Sequence, residues 1–203
     1  MKRRPPQKTA APAKSLSDRI GLALQVAFDL HRDQYRKGSA IPYLSHLMGV
    51  ASVALRFGAS EDEAIAALLH DAIEDRGGAA ARELLRQLLG AKVTAIVDEC
   101  TDTDITPKPP WRTRKEAYLA SLPDHSAAAL RIAAADKLDN VRALIAGYRA
   151  CGETLWAQFR GGRDGTLWYH RSVLAILQKT LPGPLVDQLA RAVAELEQLA
   201  AGQ

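Results

Sequence analysis

The stretch SEDEAIAALLHDAIED, residues 60–75, opens on a helix-starting pair and closes on groups that ionise. Ser60 with Glu63 is a capping box, in which each side chain satisfies a backbone N–H at the other residue. Ala64 to Leu69 are apolar on nearly every side, so this helix belongs in the centre of a bundle. Gly77-Gly78 mark its exit. His70 and Asp71 therefore lie near the end of a buried element, where an unpaired charge is costly. Something must compensate them.

Outward from this segment the pattern is helical on both sides. With Ser17 or Asp18 as the cap, Ile20, Leu24, Ala27, Phe28, His31 and Tyr35 recur at helical spacing until Gly38. A second helix starting near Pro42 sets Tyr43, His46, Val50, Val53 or Ala54 and Phe57 on one side and stops at Gly58. Helical patterns cover about 79–89 and 91–100, and a proline-rich loop fills 102–110. Helices follow from Trp111, over 126–148 and over about 165–180 and 184–200. No segment alternates with a period of two. The chain is predicted to be all-α, a single compact bundle of about eight or nine helices over residues 17–203.

At 203 residues, with 25% charged and 5% aromatic side chains, the chain has the size and composition of one globular domain. Its net charge of +4 is unevenly spread. The first 17 residues carry Lys2, Arg3, Arg4, Lys8 and Lys14 with no acid, so the remainder sums to −1. The Pro- and Ala-rich residues 1–16 read as a disordered basic leader, and a nucleic-acid polymer is not the expected partner. Cys100 and Cys151 form no Cys-x-x-Cys pair, which argues against a thiolate zinc site or a disulfide framework and for the cytoplasm. No stretch approaches the ~18 apolar residues of a membrane-spanning helix.

A divalent metal would compensate His70 and Asp71. His46, on the apolar side of the second helix, is the natural third ligand, and Asp136, which closes the small apolar run Ala133-Ala134-Ala135, is the fourth. Two imidazoles and two carboxylates suit Mn²⁺, Fe²⁺ or another borderline ion better than Ca²⁺. Glu74 and Asp75 stand four residues after His70 and Asp71, on the same helical face one turn on, where carboxylates can orient or deprotonate an attacking water. His31 reads as a partly buried packing histidine, and His125 and His170 as surface or capping groups. Trp111, Trp156 and Trp168 read as core or interface anchors.

The segments His31 to Lys37, Pro42-Tyr43-Leu44-Ser45-His46, Ala66 to Asp75 and Ala135-Asp136-Lys137-Leu138-Asp139-Asn140 resemble the HD-domain metal-dependent phosphohydrolases. They are most similar to the RelA/SpoT hydrolase domain and the stand-alone small alarmone hydrolases, over residues of about 17 to 150. The resemblance implies His46, His70, Asp71 and Asp136 as metal ligands and Glu74 and Asp75 as the pair handling water. It implies that Arg36-Lys37 contacts the nucleotide and that Asn140 helps hold the nucleoside. Lys115, Lys137 and Arg142 are candidate partners of the 5′-phosphates. The implied activity is Mn²⁺-dependent release of pyrophosphate from the 3′ position of a (p)ppGpp-like nucleotide by a cytoplasmic enzyme, with room for a homo-oligomer. Hydrolysis of another small phosphate ester, such as a nucleoside monophosphate, is the alternative within enzymes, and a non-catalytic nucleotide sensor the alternative outside them. The family's usual His-Pro is His46-Leu47 here, and Asp33 replaces a common glycine.

Overall fold

The computed structural model describes residues 15–202, so all of the expected leader except Ser15 and Leu16 lies outside the described residues. Ten α-helices are present among these residues: α1 (Asp18–His31), α2 (Leu44–Arg56), α3 (Glu61–Leu69), α4 (Ala72–Arg76), α5 (Ala79–Leu89), α6 (Ala91–Cys100), α7 (Trp111–Ser121), α8 (Ala127–Cys151), α9 (Gly162–Thr180) and α10 (Pro184–Ala200). Short 3-10 turns at Leu122–Asp124 and Gly152–Gln158 complete the set, and the fold is all-α.

A helix can bury every side only if others surround it, and α3 is enclosed by α1, α2, α6 and α8. Every residue from Glu63 to Leu69 is buried. The Ser60–Glu63 capping box forms with both of its bonds, and Arg131 of α8 pairs with Glu63. The long α8 starts at Ser126, whose hydroxyl accepts from the Ala129 N–H. It packs against α2 on one side and α10 on another.

The structure departs from the sequence expectation in three places. The first helix ends at His31 and not at Gly38, because the chain folds back on itself. Gln34 N–H donates to the His31 carbonyl, Arg36 N–H to Ile41, and Tyr43 N–H to the Gln34 carbonyl. Tyr35 consequently stands 57% exposed, and the buried face of α1 is Ala23, Val26, Ala27 and His31, with Leu24 and Phe28 on the outside. Second, the helix through residues 60–75 breaks at His70-Asp71 into α3 and α4, which brings the count to ten. The carbonyl of Ala67, the i−4 acceptor that an unbroken helix offers Asp71, is engaged by His70 Nδ1 at 2.9 Å. Third, His170 is buried within α9 and is not a surface group. Burial pushes its imidazole pKa down to about 3, with the charge of Lys137 adding to the effect.

Candidate metal centre

α2, the α3–α4 junction and α8 each contribute to one cluster. One donor atom each from His46, His70 and Asp136 lies within 4.8 Å of the others, and all three residues are buried. His46 Nε2 is 3.2 Å from Asp136 Oδ1, and His70 Nε2 is 3.7 Å from the same oxygen. Asp71 Oδ2 adjoins the trio, 3.0 Å from His70 Nε2 and 3.8 Å from His46 Nε2. All four residues expected to bind metal therefore meet.

The outer atoms of these groups are tied down. His46 Nδ1 meets Asp139 Oδ2 at 2.7 Å, and His70 Nδ1 meets the Ala67 carbonyl, so both rings turn Nε2 toward the cluster. The Tyr43 hydroxyl donates to Asp71 Oδ2 at 2.5 Å. Asp136 accepts from Lys137 Nζ and from Asn140 Nδ2. Arg36 Nη2 donates to Asn140 Oδ1 at 3.1 Å, which links the loop after α1 to α8.

The donor set fits a divalent cation. His70 Nε2 is buried and makes no aligned hydrogen bond although Asp71 Oδ2 is only 3.0 Å away, an arrangement that a metal between them would satisfy. The electrostatics agree. Burial by itself lowers the pKa of His70, but the carboxylates of Asp71 and Asp136 outweigh it and hold the imidazole well above its ordinary value. Burial likewise works to raise the carboxyls. His70 nevertheless keeps Asp71 well below the usual range, and Lys137 with both histidines does the same for Asp136. Two negative charges crowded against two imidazoles make a seat for positive charge.

Glu74 and Asp75 lie beside this cluster, bridged by Lys108 Nζ at 3.0 Å from Glu74 Oε1 and 3.1 Å from Asp75 Oδ1. Gln34 Nε2 donates to Asp75 Oδ2 at 2.9 Å. Burial, together with the charges of Asp102 and Asp71, raises the Glu74 carboxyl above its ordinary pKa. Lys37 keeps contact with solvent, but lost hydration and the like charges of Lys115 and Arg160 hold its ammonium below the usual lysine range. The cations that contact the two acids are Lys108, which bridges them, and Arg114, whose Nη1 is 3.5 Å from Glu74 Oε1. Lys115 and Lys137 are engaged with Asp102 and Asp136. Arg142 stands apart from the cluster and donates to Gln188 of α10 at 3.1 Å.

Sequence reasoning passed over Tyr43 as a partner of Asp71, Asp139 as a partner of His46, and Asp102, Lys108 and Arg160. Asp139 alone carried a signal, the same i+3 relation to Asp136 that Asn140 satisfies at i+4.

A His- and Asp-lined centre of this kind on an all-α frame defines the HD-type metal-dependent phosphohydrolases as a class. The chain belongs to that class: the model of the HD domain family matches residues 23–167. It is 34% identical to the guanosine-3′,5′-bis(diphosphate) 3′-pyrophosphohydrolase MESH1 of Xenopus tropicalis over 141 residues, 68% of this chain and 74% of that one. The MESH1 protein of Drosophila melanogaster is 36% identical over 160 residues, 77% of this chain and 83% of its own length. Among solved structures, a metazoan SpoT orthologue that hydrolyses ppGpp superposes with a TM-score of 0.75 at 27% identity, covering 90% of this chain and 98% of that one. No helix among the described residues is long and apolar enough to cross a membrane.

Proposed function

We propose that this phosphohydrolase removes pyrophosphate from the 3′ position of guanosine 3′,5′-bis(diphosphate), with Mn²⁺ as its metal. The observation that carries the reading is one juxtaposition: the buried trio His46, His70 and Asp136 with Asp71 adjoining it, and beside them two acids, Glu74 and Asp75, bridged by Lys108. The MESH1 relatives supply the substrate class.

His46, His70, Asp71 and Asp136 hold the metal, which when bound supplies Lewis acidity toward water and a phosphate oxygen. Glu74 and Asp75 orient the attacking water, and Glu74, with its raised pKa, takes the proton. Lys37 and Lys115 offset the charge of the phosphates, and Arg36 binds nucleotide while steadying Asn140. Residues 17–203 act as one hydrolase unit behind a basic leader.

The test is incubation of the Mn²⁺-loaded protein with guanosine and adenosine 3′-pyrophosphates, deoxynucleoside triphosphates and nucleoside monophosphates, with products resolved by chromatography. Pyrophosphate release from the 3′-pyrophosphates, lost in D136A, is expected. Cleavage of monophosphates alone would overturn the substrate assignment, and binding without turnover would make the protein a sensor.

A further inference from the structure

We propose that Asp139 is a positioning residue of the metal centre, fixing the ring of His46 through Nδ1, and that Gly49 is glycine because any side chain there would displace Asp139. The inference rests on the reading of His46 as a ligand and goes beyond it.

An ionised carboxylate only accepts hydrogen bonds, so the 2.7 Å contact between Asp139 Oδ2 and His46 Nδ1 puts the ring proton on Nδ1. The lone pair is then on Nε2, the atom that faces Asp136 and Asp71. A carboxylate behind a ligating imidazole fixes its orientation and raises its basicity. His70 is held from behind by the Ala67 carbonyl, a neutral and weaker acceptor. The two imidazoles are thus held from behind by different groups, His46 by a carboxylate and His70 by a backbone carbonyl.

Gly49 supplies the second, independent observation. It is three residues after His46 in α2, as Asp139 is three after Asp136 in α8, so one turn of each helix faces the other. A Cβ on Gly49 would stand 2.5 Å from Asp139 Oδ1 and 3.2 Å from its Cγ. The aspartate side chain is short and its other oxygen meets His46, so a shift that clears the Cβ also moves the carboxylate that holds the ring. The backbone of Gly49 has no positive φ that would call for glycine. In a helix interior glycine is disfavoured relative to alanine, so packing against Asp139 is the reason the structure offers for it.

The experiment is calorimetric titration of the metal-stripped full chain with Mn²⁺, without substrate, for wild type, D139A, D139N, G49A, the D139A/G49A double variant and D136A. D139A is expected to weaken Mn²⁺ binding by about 10- to 100-fold. D139N, which keeps an acceptor but loses the charge, should weaken it less. G49A is expected to weaken binding in the wild-type background and to leave it unchanged in D139A, where the oxygen it would strike is gone. Melting of the metal-free double variant no lower than that of D139A is expected for the same reason. Mn²⁺ affinity of D139A within twofold of wild type overturns the role of Asp139, and an equal effect of G49A in both backgrounds overturns the role of Gly49. If D136A binds as wild type does, the ligand set itself falls, a result distinct from the other two.

Discussion

Asp102 sits in the proline-rich loop, where helical periodicity carries no information, yet its side chain is only 4% exposed. Each of its oxygens is 2.6 Å from Arg114 Nη1, and Lys115 Nζ is 2.5 Å away. Burial works to raise this carboxyl, and Lys115 with Arg114 overcomes it and holds the pKa low. D102N keeps the shape and removes the charge, leaving two cations short of an anion. Breaking a buried pair costs about 3–5 kcal/mol, and Arg114 can fall back on Glu74, 3.5 Å away, so a loss at the lower end is expected in urea unfolding. The variant also acts on Glu74, whose pKa is raised by burial first and by Asp102 next. Removing that negative charge lowers it. A base must be deprotonated to act, so the acidic limb of the pH profile of kcat/KM moves to lower pH; a move to higher pH would deny Glu74 the role of base. His46, His70, Asp71 and Asp136 were legible in sequence because polar groups at the ends of apolar helical runs are conspicuous. Asp102 and Lys108 were not, because only folding brings the loop against α4.

At the scale of elements, periodicity located most of the helices and failed where particular hydrogen bonds divert the chain. Backbone N–H groups of Gln34, Arg36 and Tyr43 fold the chain back after α1, and His70 Nδ1 takes the Ala67 carbonyl where α3 ends, bonds that no count of apolar spacing contains. The glycine-rich turn into α9 is the opposite case, visible in sequence but unexplained until Trp111 of α7 is set against it. A Cβ on Gly161 would lie 2.7 Å from Trp111 Cη2, and one on Gly165 3.2 Å from Cζ3. Neither glycine has a positive φ, so the requirement is space alone. Trp111 in turn meets Trp168 edge-on at 6.2 Å, with the Arg112 guanidinium 3.3 Å over the Trp168 ring. G161A should therefore cost about 1–3 kcal/mol through overpacking, a fall in Tm of roughly 2–4 °C per kcal/mol for a domain of this size. G165A should cost less, since its contact is looser and alanine favours the helix. Equal melting of G161A and wild type would mean that Trp111 moves aside freely and that this packing does not set how α7 sits on α9.

For the whole molecule, the His and Asp cluster draws the bundle together as well as supplying the donors of the proposed metal site. α2, the α3–α4 junction and α8 come from distant parts of the chain, and each brings a buried charge or imidazole to one point. Without a cation the two carboxylates repel, offset only in part by the adjoining His70 and by Lys137. A ligand that binds only the folded state stabilises it by RT ln(1 + [L]/Kd), ~2.7 kcal/mol at a hundred times Kd. At roughly 2–4 °C per kcal/mol this is a rise in Tm of about 5–10 °C. Scanning the chelator-stripped chain with and without Mn²⁺ should show that rise, and D136A should show none. The same donors bear on which class of ion would bind. Two imidazole nitrogens favour borderline ions, whereas Ca²⁺ and Mg²⁺ seek oxygen, so Ca²⁺ at equal concentration should raise Tm far less than Mn²⁺. A Ca²⁺ shift matching that of Mn²⁺ would mean that the ion is held by the carboxylates alone, and that His46 and His70 stabilise the fold without ligating it.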